Sequence, residues 1–214
     1  MTPSEIAALR LAAETPVQAE AGDLAACADD LAAAFLSYPM FDWFMRTDAV
    51  RGPALQRLFR LMLGVMASPA GTILRPAQGG AVAVWLPSDS LGPNPLLEEL
   101  KALPTLIAAT GWSRLGRLAA LRTAMDAHHP MDRRHLYLWL LGVSPQVQGH
   151  GVGSRLLAAG LARADAQGLP AFLETSTEAN VALYRRHGFE VIEHYLVRPD
   201  SPPTWTMWRE PARA

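Results

Sequence analysis

The chain has 214 residues, half of them hydrophobic and 18 % charged, with a formal net charge of −1. That length and apolar content are enough for one sizeable core and exclude disorder as the main state. The near-zero charge gives no sign of nucleic-acid binding through a basic surface, and the positive charge is nearly all arginine, with Lys101 the only lysine.

Met1-Thr-Pro-Ser-Glu has neither a basic region nor an apolar stretch behind it, so no secretory signal is read there. Residues 1–15, rich in Ala and Leu, are expected as a leader, helical or disordered. Pro16 to Glu20 reads as a short first strand. From Gly22 to Phe35, Leu24, Cys27, Ala28, Leu31 and Phe35 recur at helical spacing. Cys27 is the only cysteine, so neither an intrachain disulfide nor a Cys-x-x-Cys metal site can form. In this alanine-rich setting it packs as a small apolar residue. Tyr38 to Met45 is aromatic and broken by proline. A second helix is predicted over 53–66, with Leu55, Leu58, Phe59, Met62 and Val65 on its apolar side. Gly71–Arg75 and Ala81–Leu86 read as strands paired across the turn-like Pro76–Gly80.

Pro87 to Pro95 reads as loop. Asn94 as N-cap and Pro95 at the first helical position open two helices, Leu96–Ala109 and Trp112–Ala127, broken at Gly111. Asp126, His128, His129 and Asp132 then form a polar end. Their spacing fits no zinc signature, so no metal is expected. No apolar run approaches the ~18–20 residues that span a bilayer. A cytoplasmic protein with no membrane partner is the expectation.

The C-terminal half alternates strand and helix. Leu136–Val143 is an apolar strand, followed by Ser144-Pro-Gln-Val and then Gln148-Gly-His-Gly-Val-Gly153, which opens a helix from Val152 to about Ala166. The first N–H groups of a helix have no partner inside it and carry partial positive charge, which suits an anion. Gly149, Gly151 and Gly153 let a phosphate approach the backbone. A Walker loop would need Gly-Lys-Ser/Thr, and Gly153 is followed by Ser154-Arg155. A dinucleotide fingerprint would need a third glycine where Ser154 stands, directly after the strand. Pro170–Thr175 is a further strand. Asn180 and Tyr184, four apart, share one helix face. Gly188 suits a helix C′ position, and Phe189 begins the next strand. The last strands are predicted over 190–197 and 204–208.

Gln148-x-x-Gly151-x-Gly153 and Asn180-x-x-x-Tyr184-x-x-x-Gly188-Phe189, in this order and on these elements, resemble the motifs of the GNAT family of N-acetyltransferases. The resemblance is firm over 135–190. The long helix pair and the run Leu173-Glu-Thr-Ser before Asn180 and Tyr184 are similar to the subset that includes puromycin N-acetyltransferase. So, more loosely, are Asp42-Trp43 and Ala83-Val-Trp85 in the first half. The resemblance implies an α+β fold with a mixed, mostly antiparallel twisted sheet, helices on both faces and splayed central strands. It implies one domain over 16–214 with a helical excursion at 94–127.

The same resemblance implies acetyl-CoA as cosubstrate, bound along Leu141, Gly142 and Val143. Leu141 would pair its backbone with the pantetheine amides, and the Val143 N–H would bond the thioester carbonyl. The N–H groups of Gly149, Gly151, Gly153 and Ser154 would hold the pyrophosphate, bordered by Gln148, His150 and Val152. Asn180 would bond the pantetheine arm, and the Tyr184 phenol would protonate the leaving thiolate. The strand glutamate that some members use as base is missing from 136–141. Glu174, in an apolar strand that would raise its pKa, is the best remaining acid, and His135 is a second candidate.

The acceptor is expected to be a small-molecule amine in a pocket lined by Phe35, Tyr38, Phe41, Trp43, Trp85, Tyr137 and Trp139. Asp42 is either a reader of substrate charge or a helix cap. The function implied is acetyl transfer to a primary amine in a ternary complex. The alternative is a non-catalytic acyl-CoA-binding module of the same fold. A homodimer through the last strands is compatible with the resemblance.

Overall fold

Strict alternation along one strand, buried at every residue but its last, organises the fold. In β3 (Ala81–Pro87), Val82, Val84 and Leu86 enter one apolar cluster, and Ala81, Ala83 and Trp85 enter another on the opposite face. Successive side chains of a strand point to opposite faces, so a strand buried on both must carry a continuous hydrophobic run. The computed structural model describes residues 1–67, 71–92 and 96–212. The expected cap at Asn94-Pro95 lies outside them.

Among the described residues, seven strands form one sheet in the order β1-β2-β3-β4-β5-β7-β6. These are β1 (Val17–Gln18), β2 (Thr72–Arg75), β3, β4 (Leu136–Val143), β5 (Ala171–Thr175), β6 (Glu190–Leu196) and β7 (Pro203–Arg209). Only β4 and β5 run parallel; every other pairing is antiparallel. The α+β class, the helices on both faces and the mixed sheet are as the sequence leads one to expect.

On one face lie α2 (Leu24–Phe35), α3 (Pro39–Phe44), α4 (Arg51–Leu61), α5 (Leu96–Thr110) and α6 (Leu115–His128). The other carries α1 (Pro3–Glu14), α7 (Val152–Ala166) and α8 (Glu178–Arg185). The segment 38–45 differs from its sequence reading. Its proline does not break the chain but stands at the first position of α3, where the missing N–H costs nothing. Residues 3–14 are a helix docked on α7. A capping box of Thr2 and Glu5 starts it, Leu9 and Ala13 are buried, and Glu14 pairs with Arg155 at 2.7 Å.

Two features of β4 place the site. First, the β3–β4 register shifts between Val84 and Trp85, which pair with Leu140 and Leu138, so Trp139 is the extra residue of a bulge. Trp139 and Leu140 therefore both pack toward the α2–α6 face. Second, β4 pairs with β5 only through Leu136–Leu138 and Ala171–Leu173. Beyond that, β4 continues on β3 to Val143 and β5 continues on β7 to Thr175. The two parallel strands part and leave a gap.

Glycines let helices close on both sides of this gap. A Cβ on Gly142 would sit 2.7 Å from Leu31 Cδ2 of α2. One on Gly160 would sit 2.4 Å from Trp85 Nε1, so α7 rests directly on that indole. Among the described residues, no helix is long and apolar enough to cross a membrane.

Candidate active site

A cleft of about 1890 Å³ runs through the gap between β4 and β5 and out under α5 and α6. One end is the glycine loop. After β4 the chain makes a short turn over Pro145–Val147, then Gly149 and Gly151 both adopt φ +77°, a region that disfavours side chains. Gly151 caps α7 without a side-chain hydrogen bond, and the first backbone donation inside the helix is from Arg155 to Gly151. The N–H groups of Val152, Gly153 and Ser154 precede it and are open to an anion. Gly153 is a glycine for a different reason: a Cβ there would meet Val143 Cγ2 at 2.8 Å.

Gln148 lies on the cleft, and its Nε2 donates to the Val143 carbonyl at 2.9 Å, tying the loop to the strand end. Ser154 Oγ contacts His187 Nε2 at 2.7 Å, linking α7 to the end of α8. Leu141, Gly142, Val143, Gln148, Gly149, Gly151, Val152, Gly153 and Ser154 all line the cleft. His150 is not among its lining residues. The sequence gives no warning of His187.

Across the gap, Thr177 caps α8, accepting from the Asn180 N–H at 3.3 Å. Asn180 and Tyr184 face the cleft from that helix. Tyr184 is buried and meets Phe189 edge-on at 5.8 Å. Burial pushes its phenol well above the ordinary value, and the nearby Tyr38 phenol adds to this. Gly188 takes φ +84° and ends the helix as its spacing predicts.

Glu174 projects from β5 into the same cleft. Burial pushes its carboxyl up to about 6, against two phenols that stabilise the charged form. Tyr137 donates to Oε2 and Tyr195 to Oε1, each at 2.9 Å. Tyr195 is in turn stacked on His128 at 3.8 Å between ring centroids, and His128 Nδ1 lies 2.8 Å from Glu193. Neither Tyr195 nor this stack is visible in the sequence.

His135 is placed elsewhere. It is fully buried, its Nδ1 donates to the Arg133 carbonyl at 2.8 Å, and its backbone N–H donates to Ser88 Oγ at 3.0 Å. It does not line the cleft, which removes it as a base candidate. Its Nε2 has no proton in that tautomer and accepts from His129 Nε2 at 3.0 Å. His129 does line the cleft. Burial and the His135 neighbour lower it to about 4, so it is neutral near physiological pH.

The expected aromatic pocket divides. Phe35, Tyr38, Phe41, Tyr137 and Trp139 line the cleft. Trp43 and Trp85 do not. Trp43 lies under the Arg117 guanidinium at 5.4 Å, and Trp85 faces α7. Asp42 pairs with Arg51 away from the cleft and reads no ligand charge. Cys27 is buried, and burial pushes its thiol up to about 11, which keeps it an inert apolar residue.

Parallel strands that part around a cleft headed by an uncapped glycine-rich helix start are the architecture of the GNAT acetyltransferases. Residues 88–189 match the model of the acetyltransferase (GNAT) family. The chain is similar to the crystal structure of histone acetyltransferase HPA2 and related acetyltransferase from Corynebacterium glutamicum ATCC 13032. That match has 27 % identity and a TM-score of 0.69, over 93 % of this chain and 97 % of that one. Arylalkylamine N-acetyltransferase 2 from Aedes aegypti shares the fold at 14 % identity and TM-score 0.61, over 91 % and 97 % of the two chains. The polyamine N-acetyltransferase of Drosophila melanogaster shares it at 17 % identity and TM-score 0.52, over 91 % and 98 %.

Proposed function

We propose that this protein transfers the acetyl group of acetyl-CoA to a primary amine of a small molecule, directly and within a ternary complex. The single observation that carries the reading is the parting of β4 from β5 beside both an open helix N-terminus and a buried carboxylate. An extended pantetheine arm fits such a gap as an added strand would. The N–H groups of Gly151, Gly153 and Ser154, with Gly149 turning the loop, are suited to the pyrophosphate. The free edge of β4 from Leu141 to Val143 offers backbone groups to the pantetheine and to the thioester carbonyl. Asn180, whose side chain faces the gap, would bond the same arm.

In the transfer, the amine lone pair attacks the thioester carbonyl carbon. The C–N bond forms and the nitrogen proton passes to Glu174, whose carboxylate is the basic form above about pH 6. A backbone N–H of β4 holds the oxyanion. As the C–S bond breaks, the sulfur carries the charge. A phenol raised by burial is a poor outright acid, so Tyr184 serves as a hydrogen-bond donor to the developing thiolate. Amide and CoA thiolate are the immediate products, and the thiolate takes its proton from solvent as it leaves, while Glu174 returns the amine proton to solvent. The wall of apolar side chains keeps water from competing with the amine.

Thiol release from acetyl-CoA, followed across a panel of primary amines, tests this reading. Amine-dependent release with intersecting initial-rate lines is expected. Parallel lines would point to a covalent acetyl-enzyme and contradict direct transfer. Tight acetyl-CoA binding with no amine-dependent release would leave a binding module of the same fold.

A further inference from the structure

Away from the glycine loop, the cleft opens into a long apolar arm between α2–α4 and α5–α6. Phe35, Met62, Leu106, Leu121, Met125 and Trp139 line it, and each is left partly exposed although packed against the core. Six large apolar side chains turned toward one concavity form a surface that gains free energy when an apolar ligand covers it.

The charges on the arm are few and mostly answered. Glu98 pairs with Lys101 at 2.7 Å, and Glu99 with Arg122 at 3.0 Å. Among the described residues, the carboxylates on this wall without a cationic partner are Asp126 and Glu174. Both of Glu174's partners meet the end of α6, the helix that carries Asp126: Tyr137 lies edge-on to His129 at 4.9 Å, and Tyr195 stacks on His128 at 3.8 Å. The carboxylates without a cationic partner are thus at the α6–β5 end of the arm, and the charges elsewhere on its walls are paired.

Resting on the acetyl-transfer reading above, we infer that the acceptor is a primary amine on a hydrophobic body, its one cationic group at Glu174 and Asp126 and its body along the arm. A polyamine or aminoglycoside would bring further ammonium groups against Leu and Met side chains, where they find no partner and lose their hydration. The same arm could hold a long acyl chain of the donor. Such a chain carries no positive charge and leaves the two carboxylates unanswered.

The test is the specificity of the full-length protein for amines of graded length, with acetyl-CoA as donor. Between n-butylamine and n-octylamine, kcat/KM should rise about fourfold per methylene until the arm is filled. 2-Phenylethylamine should exceed spermidine by at least about tenfold. Leu121→Asp should lower kcat/KM for octylamine at least about tenfold and leave acetyl-CoA affinity unchanged. A flat chain-length series overturns the inference, as does a preference for spermidine. So does a series flat in amine but steep in donor, with hexanoyl-CoA outpacing acetyl-CoA. If no amine of any class is acetylated, the transfer reading itself falls and this inference with it.

Discussion

Glu174→Gln is expected to lower kcat/KM for amine acetylation by about a hundred- to ten-thousand-fold, the range over which a positioned general base acts. The amide keeps the shape: its oxygen can accept from one of Tyr137 and Tyr195 and its NH2 can donate to the hydroxyl oxygen of the other, so the site should stay assembled and acetyl-CoA should bind as before. What is lost is the acceptor for the amine proton. In the unmodified protein, kcat/KM should fall about tenfold per pH unit below about 6, where burial has brought this carboxyl, and the Gln variant should lack that limb.

The stability linkage runs the opposite way. The folded-state value lies above the ordinary 4.5, so protonation favours the fold. This group's contribution is full below 4.5 and is lost as pH rises through 6. Near neutral pH the variant should therefore be at least as stable as the parent in thermal unfolding. A Gln variant that unfolds earlier, or that keeps its rate, would move Glu174 from base to scaffold.

Tyr184→Phe is expected to cut kcat by about ten- to a hundredfold with little change in acetyl-CoA affinity. That range corresponds to about 1.4–2.7 kcal/mol, the worth of one hydrogen bond to a charged atom. Full general-acid catalysis would predict a larger loss, but a phenol raised by burial gives up its proton too reluctantly for that. The hydroxyl removal leaves the ring against Phe189 intact, so folding should be preserved. Single-turnover rates with pre-bound acetyl-CoA separate this from a binding defect. Equal kcat in the two proteins would show that the tyrosine only packs.

How much of this was legible in the sequence follows from which contacts are local. The glycine loop, the start of α7 at Val152 and the Asn180–Tyr184 face depend on neighbours within a few residues, and each is where its spacing puts it. The Trp139 bulge is not local, because it exists only relative to the register of β3. Nor is Tyr195. It reaches Glu174 because β7, the later strand, inserts between β5 and β6, and no residue of 190–196 announces that order. His135 read as a second candidate base. Its burial comes from Ser88, Arg133 and His129 closing around it. Asp42 read as a cap or a charge sensor because the sequence does not show Arg51 folding back onto it. Trp43 and Trp85 carry the right side chains for a pocket, but strand alternation and the packing of α3 turn them away from it.

The central claim is that the gap between β4 and β5, headed by the glycine loop, is a coenzyme A site. Isothermal titration of the folded protein with acetyl-CoA, beside NAD and ATP, tests it most directly. The structure predicts saturable binding of acetyl-CoA near micromolar Kd, about −8 kcal/mol, and none to the other two nucleotides. No heat and no thermal shift with acetyl-CoA, from protein shown to be folded, would contradict the claim and every residue role built on it.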